Sequence, residues 1–576
     1  MARESPLNNE AFDTEIAHLI WSQRYRHGGS GETSIMATWQ RVANALAAAE
    51  PGDQAGWAAR FLEALRGFCF LPGGRILAGA GTPHRVTLLN CFVMGAIEDS
   101  IPGIFHALEE GARTMQQGGG VGYDFSTLRP HGMLAKGAGA IASGPVSFMA
   151  VWEAMCATIQ STGARRGAMM ATLRCDHPDI ERFIAAKSTP GQLTHFNLSV
   201  QITDDFMRAV ADDAPWVLKF PATPPHMLEK KLRARSLWRA LLDASLLYGE
   251  PGLLFIDRIN QTNNLCHSER ISATNPCGEV PLPPYGGCDL GSFNLTALVR
   301  DPFTPNARLD MDELRRLVPV AVRLLDNVLD ITRFPLPQQA EQARAKRRIG
   351  LGITGLADAL LMLNLPYGAP KAIALAGTIM REICHGAYRA SAALAAEKGP
   401  YPAWMPAQAL KAPFIQPLPA DIRAAIAAHG LRNSHLLAIA PAGTISLLAG
   451  NISSGAEPIF AADAIRTILD ALGTPRTLTV TDYAVALWRR QSGRPHGLPP
   501  AFQPARAIAP ADQLAMLAAL QTHTDQSISK TILLPPGATT AMVADIFIRA
   551  HALGLKGCTV FQPDNAARTI IAPAPA

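Results

Sequence analysis

Nowhere in this chain do two cysteines stand three positions apart. Its nine cysteines fall at irregular spacings, which excludes zinc ribbons and Cys-x-x-Cys redox motifs. An odd cysteine count, behind a polar opening from Met1 to Glu15 without the apolar core of a signal peptide, points to a reducing cytoplasm. Any disulfide formed there is expected to be catalytic. A stretch of about 18 uncharged apolar residues is also missing, so no membrane span is expected. Charge of one sign is scarce: the net charge is +5 and the pI near 8.7. That balance suits small anionic substrates such as nucleotides, and equally an ordinary solvated basic surface. What the chain does have is apolar residues, 48% against 17% charged. It is a folded, core-rich protein, not a disordered one. Its 576 residues match three or four average domains, or fewer where a barrel exceeds the average size.

The first 70 residues read as helical, with amphipathic spacing over Ile16–Tyr25, Trp39–Ala49 and Trp57–Phe68. From Leu71 to about Pro130 short apolar runs are broken by glycine, and Gln117–Asp124 reads as a loop or strand entry with close backbone approach. Helices are expected over Val146–Thr158, Ser236–Tyr248, Met311–Ile331, Thr354–Leu363 and Lys371–Lys398. Short buried strands are expected at Leu253–Ile256 and Leu436–Ile439. The segment Asn275–Asn294, rich in Pro, Gly and Cys, reads as irregular. Alternation of strands and helices through the middle predicts an α/β architecture. No internal repeat is found, and the Ala/Pro-rich end from Asn565 reads as frayed.

The most informative segment is Asn275-Pro-Cys-Gly-Glu279. Pro276 and Gly278 forbid a helix and force a tight turn, presenting Cys277 between an amide and a carboxylate. Two readings stay open on these five residues: a thiol with an orienting amide and a general base, or an ordinary turn whose polar neighbours cap a strand. The context decides. Cys288 follows in Gly286-Gly-Cys-Asp-Leu-Gly-Ser-Phe-Asn-Leu295, and Cys91 sits in Leu89-Asn-Cys-Phe-Val93 after Phe70–Thr82. With Gly118–Pro130, Arg348–Asp358 and Pro441–Phe460, these motifs closely resemble, in order and from roughly residue 5 to 565, the class II ribonucleotide reductases.

The resemblance implies a fold: a ten-stranded α/β barrel of two parallel five-stranded halves, with Cys277 on an internal finger loop. A helical segment over 1–70, a barrel over 71–565 and a flexible tail over 566–576 are expected. It also implies roles. Cys277 would carry the thiyl radical, Glu279 would take the 3′-hydroxyl proton, and Asn275 would orient the ribose. Cys91 and Cys288 would be the reducing pair. Substrate contacts would come from Asn90, Gly119, Gly120, Pro276 and Gly278. Its phosphates would lie on Pro441, Ala442, Gly443, Thr444 and Ile445. The pattern of that last stretch alone fits an ordinary strand-to-helix turn, and relatives have threonine where Ala442 stands. Ser161–Gly167 resembles the family's specificity loop, so Arg165 and Arg166, with Asp99, would bind a deoxynucleotide effector; a solvated basic loop is the other reading. A homodimer is expected, with no nucleic-acid or membrane partner. The other six cysteines read as inert core or surface thiols.

The radical source is expected to be adenosylcobalamin. The chain has eight tyrosines, none adjacent and none after Tyr483, and lacks an Arg-x-x-Gly-Tyr segment, which removes the marks of the tyrosyl-relay and glycyl-radical classes. Because the last cysteine is Cys558, re-reduction is expected from a separate chain, a thioredoxin-like protein or a small dithiol. No nucleotide-binding cone, and so no overall ATP/dATP control, is expected at the N-terminus. Two rivals remain: a large subunit served by a separate radical-generating partner, and a nucleotide-binding regulatory homologue without turnover.

Overall fold

The computed structural model describes residues 12–134, 141–159, 167–220, 228–469, 475–562 and 571–573. It divides into two compact units. One comprises Met1–Asn90, Cys288–Lys530 and Asn565–Ala576; the other comprises Cys91–Gly287 and Thr531–Asp564. Both mix helices with short strands, so the chain is an α/β protein.

The Cys91–Gly287 unit is built on βαβ crossovers. Its sheet runs in the order Cys91–Val93, Gly120–Asp124, Met169–Arg174, Phe196–Ile202, Gly252–Phe255, Gly557–Phe561, Thr531–Leu533. The first five are mutually parallel. Gly557–Phe561 then reverses the direction against Gly252–Phe255, and Thr531–Leu533 runs parallel to it. Parallel strands covered by crossover helices are buried along their length, and Met169–Leu173 is buried at every position. The helix Ile101–Gln116 is started by the Ser100 side chain, which accepts from Gly103 N–H, with Pro102 in the first turn. It ends before Gly118, whose φ of 97° suits a residue without Cβ. Tyr123, Phe125, Trp152 and Phe196 interlock edge-to-face or tilted, with ring centroids 5.4–6.0 Å apart.

The other unit opens with the helices Glu15–Ile20, Ile35–Ala47 and Gln54–Leu65, with a π-helical turn at Trp21–Tyr25. Strand Phe70–Pro72 pairs antiparallel with Leu290–Asn294, which pairs parallel with Gly350–Thr354. Helices Met311–Ile331 and Pro370–Lys398 pack together. Around them a charged core is satisfied internally. Glu50 takes Arg323 at 2.9 Å and Lys398 at 3.0 Å, and Asp326 takes Arg347 at 2.8 Å and Arg432 at 3.1 Å. Such pairs are costly to break one partner at a time.

Several sequence expectations shift. Thr354 closes a strand instead of opening a helix; Gly355, at φ 69°, turns the chain so that the helix begins at Leu356. Leu436–Ile439 is not a strand. It makes single bridges to Leu351 and Ile528, because the Asp525 carboxylate accepts the Leu436 and Leu437 N–H groups at 2.8 and 2.9 Å. The Asn275–Asn294 segment, expected to be irregular, contains the strands Pro281–Leu282, Gly287–Cys288 and Leu290–Asn294. No described helix is long and apolar enough to cross a membrane.

Candidate active site

The Asn275–Glu279 turn forms as its residues dictate. Pro276 has no N–H to extend a strand, and Gly278 adopts φ 83°. A minimal hairpin closes it, with Thr274 opposite Pro281 and Ala273 opposite Leu282. Asn275 is the keystone. Its N–H donates to Val280 O at 3.2 Å, its carbonyl accepts Gly278 N–H at 3.1 Å and the Thr274 hydroxyl at 2.9 Å, and its Oδ1 accepts Val280 N–H at 3.0 Å. The side-chain Nδ2 has no hydrogen-bond partner among the described residues, in a side chain with 0% exposure. Burying an unmet donor costs about 1–3 kcal/mol, a cost that a ligand oxygen would remove. Glu279, four residues on, is buried, and Cys277 midway between them is half-buried.

Neighbouring strands hold this finger by their side chains. Thr172 Oγ1 and Gln201 Nε2 donate to Ser272 O at 2.9 and 2.7 Å, and Asn197 Nδ2 donates to Pro276 O at 2.7 Å. Gly122 lies so close to Thr274 O that a Cβ there would collide with it. These tethers escaped the sequence reading. The available signal was the amides at 197 and 201 in a strand whose one other polar residue is Ser199.

Cys91 arrives at the same place. A Cβ built on Gly120 would lie 3.2 Å from Cys91 Sγ and 3.1 Å from Pro276 Cγ. The thiol and the finger therefore converge over that glycine. Gly119 is buried against Phe92 and Thr114. In the other unit, Cys288 is buried and its carbonyl accepts the N–H of Asn90, the residue preceding Cys91, at 3.3 Å. Asn90 Oδ1 accepts Arg75 N–H at 3.3 Å. Beside Cys288, the Asp289 carboxyl is held well above the usual carboxylate range by burial, reinforced by Asp326. None of the nine cysteines is in a disulfide. Burial pushes the Cys156 and Cys175 thiols up to about 12, so they stay un-ionised.

The Pro441–Ile445 stretch, in the Asn90/Cys288 unit, leads into the helix Gly443–Leu448. Ala442 stands at the cap position without a side-chain hydrogen bond, and Ser446 N–H donates to Ala442 O at 2.7 Å. Pro441, Gly443 and Thr444 are exposed while Ala442 and Ile445 are buried. A Cβ on Gly443 would meet nothing within 4 Å. Asp99 is engaged by Arg129, through Nε at 2.8 Å and the backbone N–H at 3.1 Å. Arg165 and Arg166 lie outside the described residues.

A thiol on a finger turn thus lies beside a buried carboxylate and an unmet amide, in a unit built on a parallel sheet. Residues 89–561 match the family model described as "Ribonucleotide reductase, barrel domain", and 11–85 match "Ribonucleotide reductase, all-alpha domain". The chain belongs to the ribonucleotide reductase family. Within it, the chain is similar to the vitamin B12-dependent ribonucleoside-diphosphate reductase of Mycobacterium tuberculosis, at 40% identity over 91% of this chain and 75% of that protein. It is also similar to the protein of that name from Thermoplasma acidophilum, at 36% over 87% and 65%. A vitamin B12-dependent ribonucleotide reductase of Streptomyces coelicolor is 29% identical over 84% and 57%.

Proposed function

We infer that this chain reduces ribonucleoside diphosphates to 2′-deoxyribonucleotides with adenosylcobalamin as its radical source. The observation that carries the reading is the meeting of Cys91 with the Cys277 finger over Gly120, beside the unmet Asn275 amide. Gly278 faces open space, since a Cβ there would meet nothing within 4 Å. Cys277 and Gly278 are the residues of the turn that would border the cofactor. When bound, adenosylcobalamin supplies an unpaired electron by homolysis of its cobalt–carbon bond.

The chain's own residues do the rest. Cys277, as a thiyl, takes the hydrogen atom from the ribose 3′ carbon. Glu279 accepts the 3′-hydroxyl proton, and the Asn275 amide donates to the sugar and fixes its orientation. The 2′-hydroxyl leaves as water. Cys91 and Cys288 supply two electrons and two protons and close into a disulfide, and Cys277 returns its hydrogen atom to the 3′ carbon. Asn90, Gly119, Gly120, Pro276 and Gly278 line the sugar, and Pro441–Ile445 takes the phosphates on backbone N–H groups and on the Thr444 hydroxyl. An external dithiol reductant restores the cysteine pair.

The finer architecture belongs to the same reading. The parallel run of five strands followed by a reversed pair supports a ten-stranded barrel of two antiparallel halves, over 71–565, after a helical segment at 1–70; the stretch expected as a flexible tail is instead tied down at Ile571–Pro573, which pairs antiparallel with Ala464–Arg466. Ile101 and Phe105, 60% and 51% exposed at i, i+4 on one helix, support a homodimer through that helix. Asp99, just before it, with Arg165 and Arg166, forms the effector site.

The test is deoxynucleotide formation from each ribonucleoside di- and triphosphate, with and without adenosylcobalamin, given a dithiol and no second protein. Product that requires the cofactor, prefers diphosphates and vanishes in Cys277→Ser supports the reading. Turnover only with an added radical-generating subunit, or substantial product from Cys277→Ser, overturns it.

A further inference from the structure

Behind the phosphate turn stands a brace. After the helix Gly443–Leu448 the chain doubles back, and Asn451 and Ile452 N–H both donate to Ser446 O, at 2.9 and 3.2 Å. Further on, Gly455, at φ 57°, lies against Ala440, whose carbonyl oxygen would sit 2.5 Å from an added Cβ. Residues 449–455 therefore touch both ends of the turn.

The middle of that loop is pinned at Ser453. Its N–H donates to Asp358 Oδ2 at 2.6 Å. Its hydroxyl oxygen accepts Ala357 and Asp358 N–H at 3.1 and 3.4 Å. Its carbonyl accepts Gly355 N–H at 2.8 Å and the Thr354 hydroxyl at 3.0 Å. The other oxygen of Asp358 accepts Ala484 N–H at 3.1 Å. The same N–H reaches Asp482 Oδ1 at 3.1 Å, which also takes Val485 N–H at 3.2 Å. Two carboxyl groups thus meet on one donor. They are 0% and 5% exposed.

The charged and titratable groups around them are few. Arg466 acts on Asp482, and its Nε has no hydrogen-bond partner among the described residues. The Tyr483 phenol feels the charges of Asp358, Asp13 and Arg490. Two anions in such a place would repel strongly. Burial raises both carboxyls above the usual range, and Asp358 raises Asp482 further.

We propose that Asp358 and Asp482 share one proton and act as positioning residues for the substrate's phosphates, holding Ser453 and, through its loop, the turn Pro441–Ile445 in binding shape. This rests on the assignment of that turn to phosphate. With the proton in place, one carboxyl donates to the other and both keep their backbone N–H groups. Because the fold holds the proton more tightly than the unfolded chain does, the brace is intact at low and neutral pH. It is lost as pH rises and the proton leaves to solvent. KM for the nucleotide then climbs.

The experiment is steady-state kinetics of the full chain with a ribonucleoside diphosphate across neutral and alkaline pH, on wild type and three variants. Asp482→Asn puts a permanent N–H where the shared proton sits and keeps the Oδ1 cap. Its KM should stay within about twofold of wild type at neutral pH, and the alkaline rise should disappear. Asp358→Asn points an amide N–H at a backbone N–H, so KM should rise about tenfold with a smaller change in kcat. If Asp358→Asn does not fold, Asp482→Asn still decides, together with the infrared carbonyl stretch of a protonated carboxyl, present in wild type and lost in that variant. Thr444→Ala separates the two layers of argument. Unchanged KM in Thr444→Ala removes the phosphate assignment and this inference with it. Raised KM in Thr444→Ala, with the alkaline rise retained in Asp482→Asn or the infrared band absent from wild type, overturns the shared proton and leaves the turn's assignment standing.

Discussion

Gly120→Ala should cripple this protein while leaving it folded. The single added methyl would sit 3.1 Å from Pro276 Cγ, 3.2 Å from Cys91 Sγ and 3.4 Å from Ala168 O. Carbon contacts are comfortable at about 3.5–4.0 Å, so the proline ring and the thiol must retreat by about half an ångström in different directions. Packed interiors resist this, and overfilling costs about 1–3 kcal/mol. The larger consequence is chemical. In the proposed mechanism Cys91 meets one sugar face while the finger presents Cys277, and a misplacement of about 1 Å costs on the order of a hundredfold in rate. Half that displacement predicts a loss of about tenfold in kcat, at little change in KM because the turn Pro441–Ile445, proposed to hold the phosphates, is untouched. The assay is single-turnover deoxynucleotide formation by pre-reduced protein, beside a thermal melt. A variant that melts near wild type and turns over at the wild-type rate would refute the convergence of Cys91 and the finger over this glycine.

Two further outcomes are expected. Asn275→Ala removes the unmet donor together with the Oδ1 bond to Val280 N–H, so kcat/KM should fall at least tenfold, since a hydrogen bond in the site is worth about 1.5 kcal/mol; an unaltered kcat/KM would show that the amide does not touch substrate. Asp463 lies under a two-pronged contact from Arg489, at 2.9 and 2.8 Å, which holds its carboxyl below the usual range. A depressed carboxylate stabilises the fold above its unfolded pKa and loses that stabilisation as pH falls through the folded one. Asp463→Asn should therefore melt lower than wild type at neutral pH, by the equivalent of about 1 kcal/mol or less for a half-exposed pair, and the two curves should converge in acid. A gap independent of pH would contradict this.

The sequence spoke most clearly where one local rule acts alone. The apolar stripe of Met311–Ile331 matched the observed helix at both ends, despite Pro319 inside it. Pro276 and Gly278 announced a turn at Cys277 whatever surrounded it. The hairpin that closes the turn was silent, because strands of two residues at Ala273–Thr274 and Pro281–Leu282 are too short to alternate. Leu436–Ile439 looked like a strand because it is apolar and buried, but nothing local says that the Asp525 carboxylate takes the N–H groups a neighbouring strand would claim. Glycines 350 and 352 hid the strand before Leu356. Gly352 is there because the Ala438 carbonyl comes too close for a side chain, a constraint visible only in three dimensions. The grips on the finger from Thr172, Asn197 and Gln201, and the meeting of Asp358 with Asp482, depend on tertiary approach and leave no periodic trace. Roles at Cys91, Cys277 and Cys288 came from motif order along the chain, not from any single spacing.

The most direct trial of the radical-reductase account is a count of sulfurs. Pre-reduced protein, freed of dithiol, should be given adenosylcobalamin and excess ribonucleoside diphosphate, quenched, alkylated and mapped by mass spectrometry. One deoxynucleotide should form per chain, with Cys91 and Cys288 joined to each other and Cys277 still alkylatable. Product without that link, or a link between any other two of the nine cysteines, would contradict it.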